Sequence, residues 1–178
     1  VIGLAFLVGL SCRLGAGLEL RLFSERLSVF RGSKPVSRYD GKLPGAWRLE
    51  ATELGGRAAI LVGVNKRTWN LPFPHRTIFV LGFDGHSVYR RWTGSTMGRP
   101  LIDFCVGTGR VFTLERRLDG RVELSSNLWN GFGFRKEARL GHWSRADHLR
   151  LGSGGDRLEV EVGWGRYRHT ESVGVPRD

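Results

Sequence analysis

Hydrophobic residues in this chain fall into short runs of two kinds. Residues 57–64 (RAAILVGV) and 77–83 (TIFVLGF) are apolar at consecutive positions, the pattern of β-strands covered on both faces. Residues 121–124 (RVEL) and 158–162 (LEVEV) alternate apolar with polar, the pattern of strands with one face in water, and these are expected to be outer strands. A sustained three-and-four apolar period with capping residues is missing. Residues 135–140 (RKEARL) are the one stretch of helical character, and it is short. The expectation is an all-β fold with little helix.

Turn chemistry adds an order to these runs. Asp84-Gly85 and Asp119-Gly120 each separate two of them, and Asp-Gly supplies the positive φ angles of a tight hairpin turn. Two hairpins are expected, at 76–92 and 110–129, ending in Trp92-Thr93-Gly94 and Trp129-Asn130-Gly131. A fainter copy occupies 18–33, and another is expected at 156–165, ending in Trp164-Gly165. The spacing is irregular, so this is a degenerate array. Grouping neighbouring hairpins gives antiparallel four-strand units at about 46–97 and 99–145, with two strands before and two or three after. Stacked four-strand units make a β-propeller-like architecture. The tally comes to roughly three units where a propeller normally closes with about four or more, so a β-sandwich, a barrel, or completion by a second copy remain open.

The N-terminus changes where such a domain would work. Residues 1–10 (VIGLAFLVGL) form an apolar run of secretory length, short of the roughly 20 residues of a membrane span. Residues 1–17 are therefore read as a signal peptide or lipoprotein signal, with Cys12 as the lipidation candidate, and 18–178 as a single all-β domain. An ordinary cleavage near Ala16 is the alternative, and an uncleaved anchor or a buried N-terminal strand is the structural reading. The expected location is extracytoplasmic, in the periplasm or at the cell surface. Cys105, inside the apolar run Ile102-Asp103-Phe104-Cys105-Val106, is read as a small buried hydrophobe.

Charge names a class of partner. Lys and Arg number 28 against 17 Asp and Glu, a formal net charge of +11, and all but Lys34, Lys42, Lys66 and Lys136 are arginines. Such a chain attracts polyanions: nucleic acid, acidic headgroups or anionic wall polymer. The arginines are spread along the chain, which favours a solvated, ion-paired surface over a dedicated nucleic-acid face.

Catalytic signatures are missing. There is no Gly-x-Ser-x-Gly elbow, Gly-Lys-Ser/Thr loop, His-Glu-x-x-His or Cys-x-x-Cys, and the five histidines are far apart in sequence. His142 and His148 could share a loop with Asp147, but they are read as surface residues, because a metal needs a convergent third ligand. Arg99 and Asp103 are read as a structural ion pair across a blade joint. The segment 67–76 (RTWNLPFPHR) is longer than a hairpin connection requires and is stiffened by Pro72 and Pro74. Its Trp69, Phe73, His75 and Arg76 are the binding candidates, as a mixed aromatic and cationic surface; the alternative is that Trp69 and Phe73 fold back to cap the core.

The residues Trp92-Thr93-Gly94-Ser95, 99–104 (RPLIDF), 112–115 (FTLE) and 129–134 (WNGFGF) resemble degenerate FG-GAP or VCBS-type propeller repeats of exported bacterial proteins, many of them lipoproteins of unknown function. In metal-binding members of that family a loop of alternating aspartates ending in glycine holds calcium. Here the corresponding turns are Asp84-Gly85, Gly107-Thr108-Gly109 and Asp119-Gly120, so neither calcium nor any other cofactor is expected. The resulting expectation is a non-catalytic binding or scaffolding module of the cell envelope, holding a protein or an anionic polymer. A hydrolase of an envelope polymer and a basic nucleic-acid-binding protein are the alternatives.

Overall fold

The computed structural model describes residues 9–15, 17–68, 71–94, 99–107 and 109–176. They form four antiparallel sheets in chain order. The first holds β1 (Leu10–Gly15), β2 (Leu18–Phe23), β3 (Arg26–Arg31) and β4 (Lys34–Arg38). The second holds β5 (Arg48–Glu53), β6 (Ala58–Thr68), β7 (Leu71–Phe83) and β8 (Val88–Trp92). The third holds β9 (Leu101–Gly107), β10 (Arg110–Arg116), β11 (Val122–Trp129) and β12 (Phe134–Trp143). The fourth has three strands, β13 (Ala146–Leu151), β14 (Arg157–Val162) and β15 (His169–Gly174), with a 3-10 turn at Gly165–Tyr167.

Each sheet pairs consecutive strands as a meander, and its first strand is the innermost: β1 packs on β5, β5 on β9, and β9 on β13. This is the plan of a four-bladed β-propeller. The expected units at 46–97 and 99–145 are blades two and three. The expected tally of about three blades is corrected to four, because the first blade begins at Leu10, inside the segment read as a signal, and so gains β1. The remainder of that apolar run, residues 1–8, lies outside the described residues.

Three apolar cores lie between the blades. Leu20, Leu27, Ile60 and Val62 are among those joining blades one and two; Leu54, Leu61, Phe104 and Val111 join two and three; Phe112, Leu124, Leu149 and Val160 join three and four. The consecutive apolar runs behave as expected: 59–64 of β6 and 77–82 of β7 are buried throughout, since the central strands of blade two have a neighbouring blade on each face. In β14 the alternation also holds, with Leu158, Val160 and Val162 buried.

Two expectations are overturned in blade three. The alternating run at 121–124 is not half in water, for β11 is buried from Val122 to Asn127, including Glu123. The helical stretch at 135–140 is β12, and no α-helix occurs among the described residues. The cause of the misreading is visible in the register. Asn127 pairs with Lys136, Ser125 with Arg139 and Glu123 with His142, with irregularities that leave Glu137 and Leu140 as extra residues in β12. Each bulge resets the alternation, so Lys136, Arg139 and His142 share one face at a spacing of three, which imitates a helical period.

The Asp-Gly hairpins form as expected. Asp84 Oδ1 accepts from the amides of His86 and Ser87, and Gly85 and Gly120 have positive φ. The Trp-x-Gly copies are not equivalent, however. Trp92 ends the fourth strand of its blade and Trp129 the third strand of its own, while Trp164 lies in a connection after β14. Trp92 and Trp129 instead meet each other and Phe134 edge to face, at 6.3 and 5.3 Å, as the outer part of the core between blades two and three.

One turn works against its side chains. Ser24 and Glu25, between β2 and β3, both adopt left-handed φ (47° and 65°), the geometry that usually selects glycine or asparagine. Glu25 is held there because its Oε1 accepts from the Gly45 amide and its carbonyl from the Leu43 amide. Ser24→Gly is therefore expected to stabilise the protein by about 1 kcal/mol, read as a higher urea midpoint at unchanged m-value.

Candidate functional site

Residues 67–68 and 71–76 of the segment lie in strands, not in a loop. β6 and β7 continue as a paired ribbon, with Asn65 opposite Arg76 and Lys66 opposite His75, beyond the point where β5 begins, with Arg48 opposite Gly63. Among the candidates, Trp69 lies outside the described residues. Phe73 is 58% exposed and meets His75 edge to face. His75 Nδ1 lies 3.2 Å from the Phe73 carbonyl oxygen, and its Nε2 is buried without a hydrogen-bond partner among the described residues. Arg76 is exposed too, but it follows His75 in the strand and so lies on the other face from Phe73 and His75. Its guanidinium lies 4.6 Å over the Trp47 ring and donates to the Ile102 carbonyl, tying the ribbon to blade three. Phe73 and His75 thus stay in contact, Phe73 exposed and His75 half-buried, and Arg76 has a structural contact.

Along the innermost strands the third residue of every blade carries a reactive side chain: Cys12, Glu50, Asp103 and His148. Asp103, 2% exposed, is the centre of this group. Its carboxylate accepts from Arg48 Nη1 at 2.9 Å to both oxygens, from the Phe104 amide at 2.9 Å and from the Leu149 amide at 2.8 Å. Arg48 also pairs with Glu50 at 2.7 Å. Burial alone would lower the Arg48 pKa, but Asp103 and Glu50 raise it on balance. The expected ion pair of Asp103 with Arg99 is therefore corrected: Asp103 does bridge blades, but to Arg48, whose guanidinium enters from β5, while Arg99 reaches Glu123.

This axial group has little reactive capacity. Every oxygen of Asp103 is occupied by a donor, and His148 Nδ1 stands 3.9 Å from Asp103 Oδ2, too far for a proton-sharing pair. Burial pushes the Cys12 thiol up to about 12, with the Glu50 charge adding to it, and burial also raises Cys105. Thiols so raised are poor nucleophiles near neutrality. Cys12 sits in β1 and packs against the core between blades one and two. Removal of the chain before Cys12 would delete the Leu10↔Leu22 and Ser11↔Arg21 pairs of that strand. Cys105 is buried, as a core residue of blade three. No group of three His, Cys, Asp or Glu residues able to hold a metal ion occurs among the described residues.

A different arrangement occupies the end of the propeller where the innermost strands begin. In blades three and four the connections at that end are 99–100, 117–121, 144–145 and 163–168. They hold Arg99, Arg117, Arg121, Arg145, Arg166 and Arg168 against a single acidic residue, Asp119. The turns at the opposite end of the same blades, 108–109, 130–133 and 152–156, contain no lysine or arginine and are mostly glycine. Exposed Phe73, Leu118, Trp164 and Tyr167 lie at the arginine end, and Phe132 at the other. Arg145 stacks 3.9 Å over Trp164, and Arg166 lies 5.2 Å from the Tyr167 ring centre. Such pairs give flat cationic platforms. Sequence reading missed them because these arginines are separated along the chain; only the propeller's up-and-down course gathers them at one end.

No protein-family profile matches the chain, and no curated protein matches it. Its fold is similar to that in the crystal structure of the computationally designed Ika4 protein, with a TM-score of 0.55 and 7% identity, covering 91% of this chain and 88% of that one. At that identity the likeness bears on the fold alone.

Proposed function

We propose that the protein is a non-catalytic binding module of the cell envelope, which holds an anionic polymer at the arginine-rich end of its propeller. The observation that carries this reading lies in blades three and four, where the connections at one end hold six arginines beside exposed Trp164 and Tyr167, while those at the other are mostly glycine and hold none. A cationic surface of this kind attracts a polyanion over distances near the Debye length, and the stacked Trp164 and Tyr167 offer flat apolar contact to sugar rings or similar groups. The saturated hydrogen bonding of Asp103 and the raised thiol of Cys12 support binding over a hydrolase. The likeness of Trp92-Thr93-Gly94-Ser95 and 129–134 to FG-GAP or VCBS-type repeats favours an exported, envelope-associated protein, whereas the packing of Cys12 within β1 disfavours lipid attachment there. Among the described residues no helix is long and apolar enough to cross a membrane.

The test is titration of the purified protein with a poly(glycerol phosphate) or acidic glycan, followed by tryptophan fluorescence at increasing salt. Replacing Arg145, Arg166 and Arg168 together by Gln is expected to weaken binding about tenfold, three exposed charges at roughly 0.5 kcal/mol each. Replacing Lys34 and Arg57, at the other end, should leave it unchanged. Equal losses from both ends, or no binding at low salt, would sink the reading.

A further inference from the structure

Beneath the arginine-rich end, blade three contains a buried ionic assembly. Glu123 is 1% exposed at its side chain and receives four cations: Lys136 Nζ at 2.8 Å on Oε1, and Arg99 Nη1, Arg117 Nη1 and Arg139 Nε at 3.1, 3.2 and 3.2 Å on Oε2. Lys136 also reaches Glu115 at 3.2 Å, and Arg117 reaches Asp119 at 3.3 Å. Together with Arg121, five cations face three carboxylates, so two positive charges are uncompensated within the cluster.

The surplus is directed at an opening. Arg117, Arg121, Arg139, Leu140, Gly141 and His142 wall a groove of about 410 Å³ with Glu123 at its base. Arg139 and His142 stand on the same face as Glu123 only because the bulge at Leu140 resets the alternation of β12. Arg121 has no ion pair or side-chain hydrogen bond among the described residues, so nothing within the fold uses its charge. Arg139 spends its Nε on Glu123 while its side chain is 64% exposed, leaving the terminal nitrogens of its guanidinium fork available.

We infer that this groove is a binding site for a phosphate group, gripped by Arg121, the terminal nitrogens of Arg139 and the remaining Nη2 of Arg117, with Glu123 as the positioning residue that holds the Arg117 and Arg139 guanidinium groups in place. A tetrahedral phosphate oxyanion, which carries one negative charge as a diester of the polymer and up to two as the free ion, matches the sign of the uncompensated charge and the convergence of several planar donors from different directions. Because Arg117 and Arg139 are already drawn together on Glu123, only Arg121 has much side-chain freedom to lose when the anion enters. The inference deepens the proposed function by naming the group of the polymer that is recognised, and in that sense rests on it. The site itself can be tested with the small ion alone.

The experiment follows the arginine Nε–H and backbone amide NMR signals of the whole chain during titration with inorganic phosphate, then with a glycerol phosphate oligomer. Saturable shifts confined to Arg117, Arg121, Arg139 and His142 are expected. Arg121→Gln should weaken phosphate binding about tenfold, the worth of one charged bidentate contact of about 1.4 kcal/mol. Arg121→Lys should recover part of the loss, and both variants should melt with the parent, since Arg121 supports no internal contact. Tighter binding of the oligomer than of the free ion identifies the polymer as the source, and equal binding identifies the free ion. If phosphate produces no localised shift, or Arg121→Gln binds as the parent does, the site is refuted. A polymer still held through Arg145, Arg166 and Arg168 in that case would leave the broader reading standing, whereas phosphate binding without polymer binding would remove the broader reading and keep the site.

Discussion

Replacing Asp103 with alanine is expected to lower the unfolding free energy by about 3–5 kcal/mol, among the largest effects of any single substitution in this protein. The side chain joins three blades: Arg48 comes from β5, the Phe104 amide from its own β9, and the Leu149 amide from β13. Its loss strands the half-buried Arg48 guanidinium, keeping only Glu50, and leaves two buried amides without acceptors, each a cost of desolvation that water cannot offset in a closed site. Urea denaturation provides the measurement. The double variant Asp103→Leu with Arg48→Met should recover part of the loss, because the guanidinium is no longer stranded, while Glu50 loses its partner and the two amides stay without acceptors. A single variant that unfolds within 1 kcal/mol of the parent would show that the clamp does not hold the blades.

The second large effect is expected at Glu123. Glu123→Gln keeps the shape but removes the charge on which Lys136, Arg99, Arg117 and Arg139 converge, leaving those cations to repel one another, and should cost about 3 kcal/mol. The same carboxylate predicts an acid limit. Burial by itself would raise its pKa, but hydrogen bonding and charge from Lys136, then from Arg99, outweigh burial and hold it at about 2, against an ordinary value of 4.5. A depressed folded-state pKa means that the unfolded chain takes up the proton first. The stabilisation is therefore complete above about pH 4.5 and declines as pH falls toward about 2. In Glu123→Gln that decline should be smaller, and the difference between the two proteins should narrow steadily over the same window. A constant difference from pH 6 to pH 2 would assign the effect of the substitution to packing.

The two acidic residues show what could and could not be seen in advance. Asp103 was expected to form a structural ion pair with Arg99 across a blade joint. An arginine of another blade is its partner, but it is Arg48 and not Arg99. Only the packing of β5 against β9 selects Arg48, 55 residues away. Glu123 was read as the solvent face of an alternating strand, a reasonable reading of Val-Glu-Leu, because alternation cannot reveal that four cations from other segments will cover the polar face.

The candidate site divides in the same way. The 67–76 segment was recognisable by its length, prolines and aromatics, and Phe73 is indeed exposed. That Arg76, though exposed, is tied to Trp47 and Ile102 follows from the β6–β7 ribbon leaning on blade three, a long-range contact with no local signature. The arginine-rich end was invisible because composition reports that arginines are many, not where the chain's reversals put them.

By itself, then, the sequence determined the all-β class, the positions of the Asp-Gly turns, the central strands of blade two and the extents of blades two and three. These are local properties, set by side-chain period and by the φ angles that particular residues tolerate. The tertiary structure alone decided that there are four blades, that β12 carries two bulges in place of a helix, that Asp103 clamps Arg48, and that Arg117, Arg121 and Arg139 wall one groove. Each of these depends on which distant strands become neighbours, and that choice is made by burial of whole sheet faces against one another.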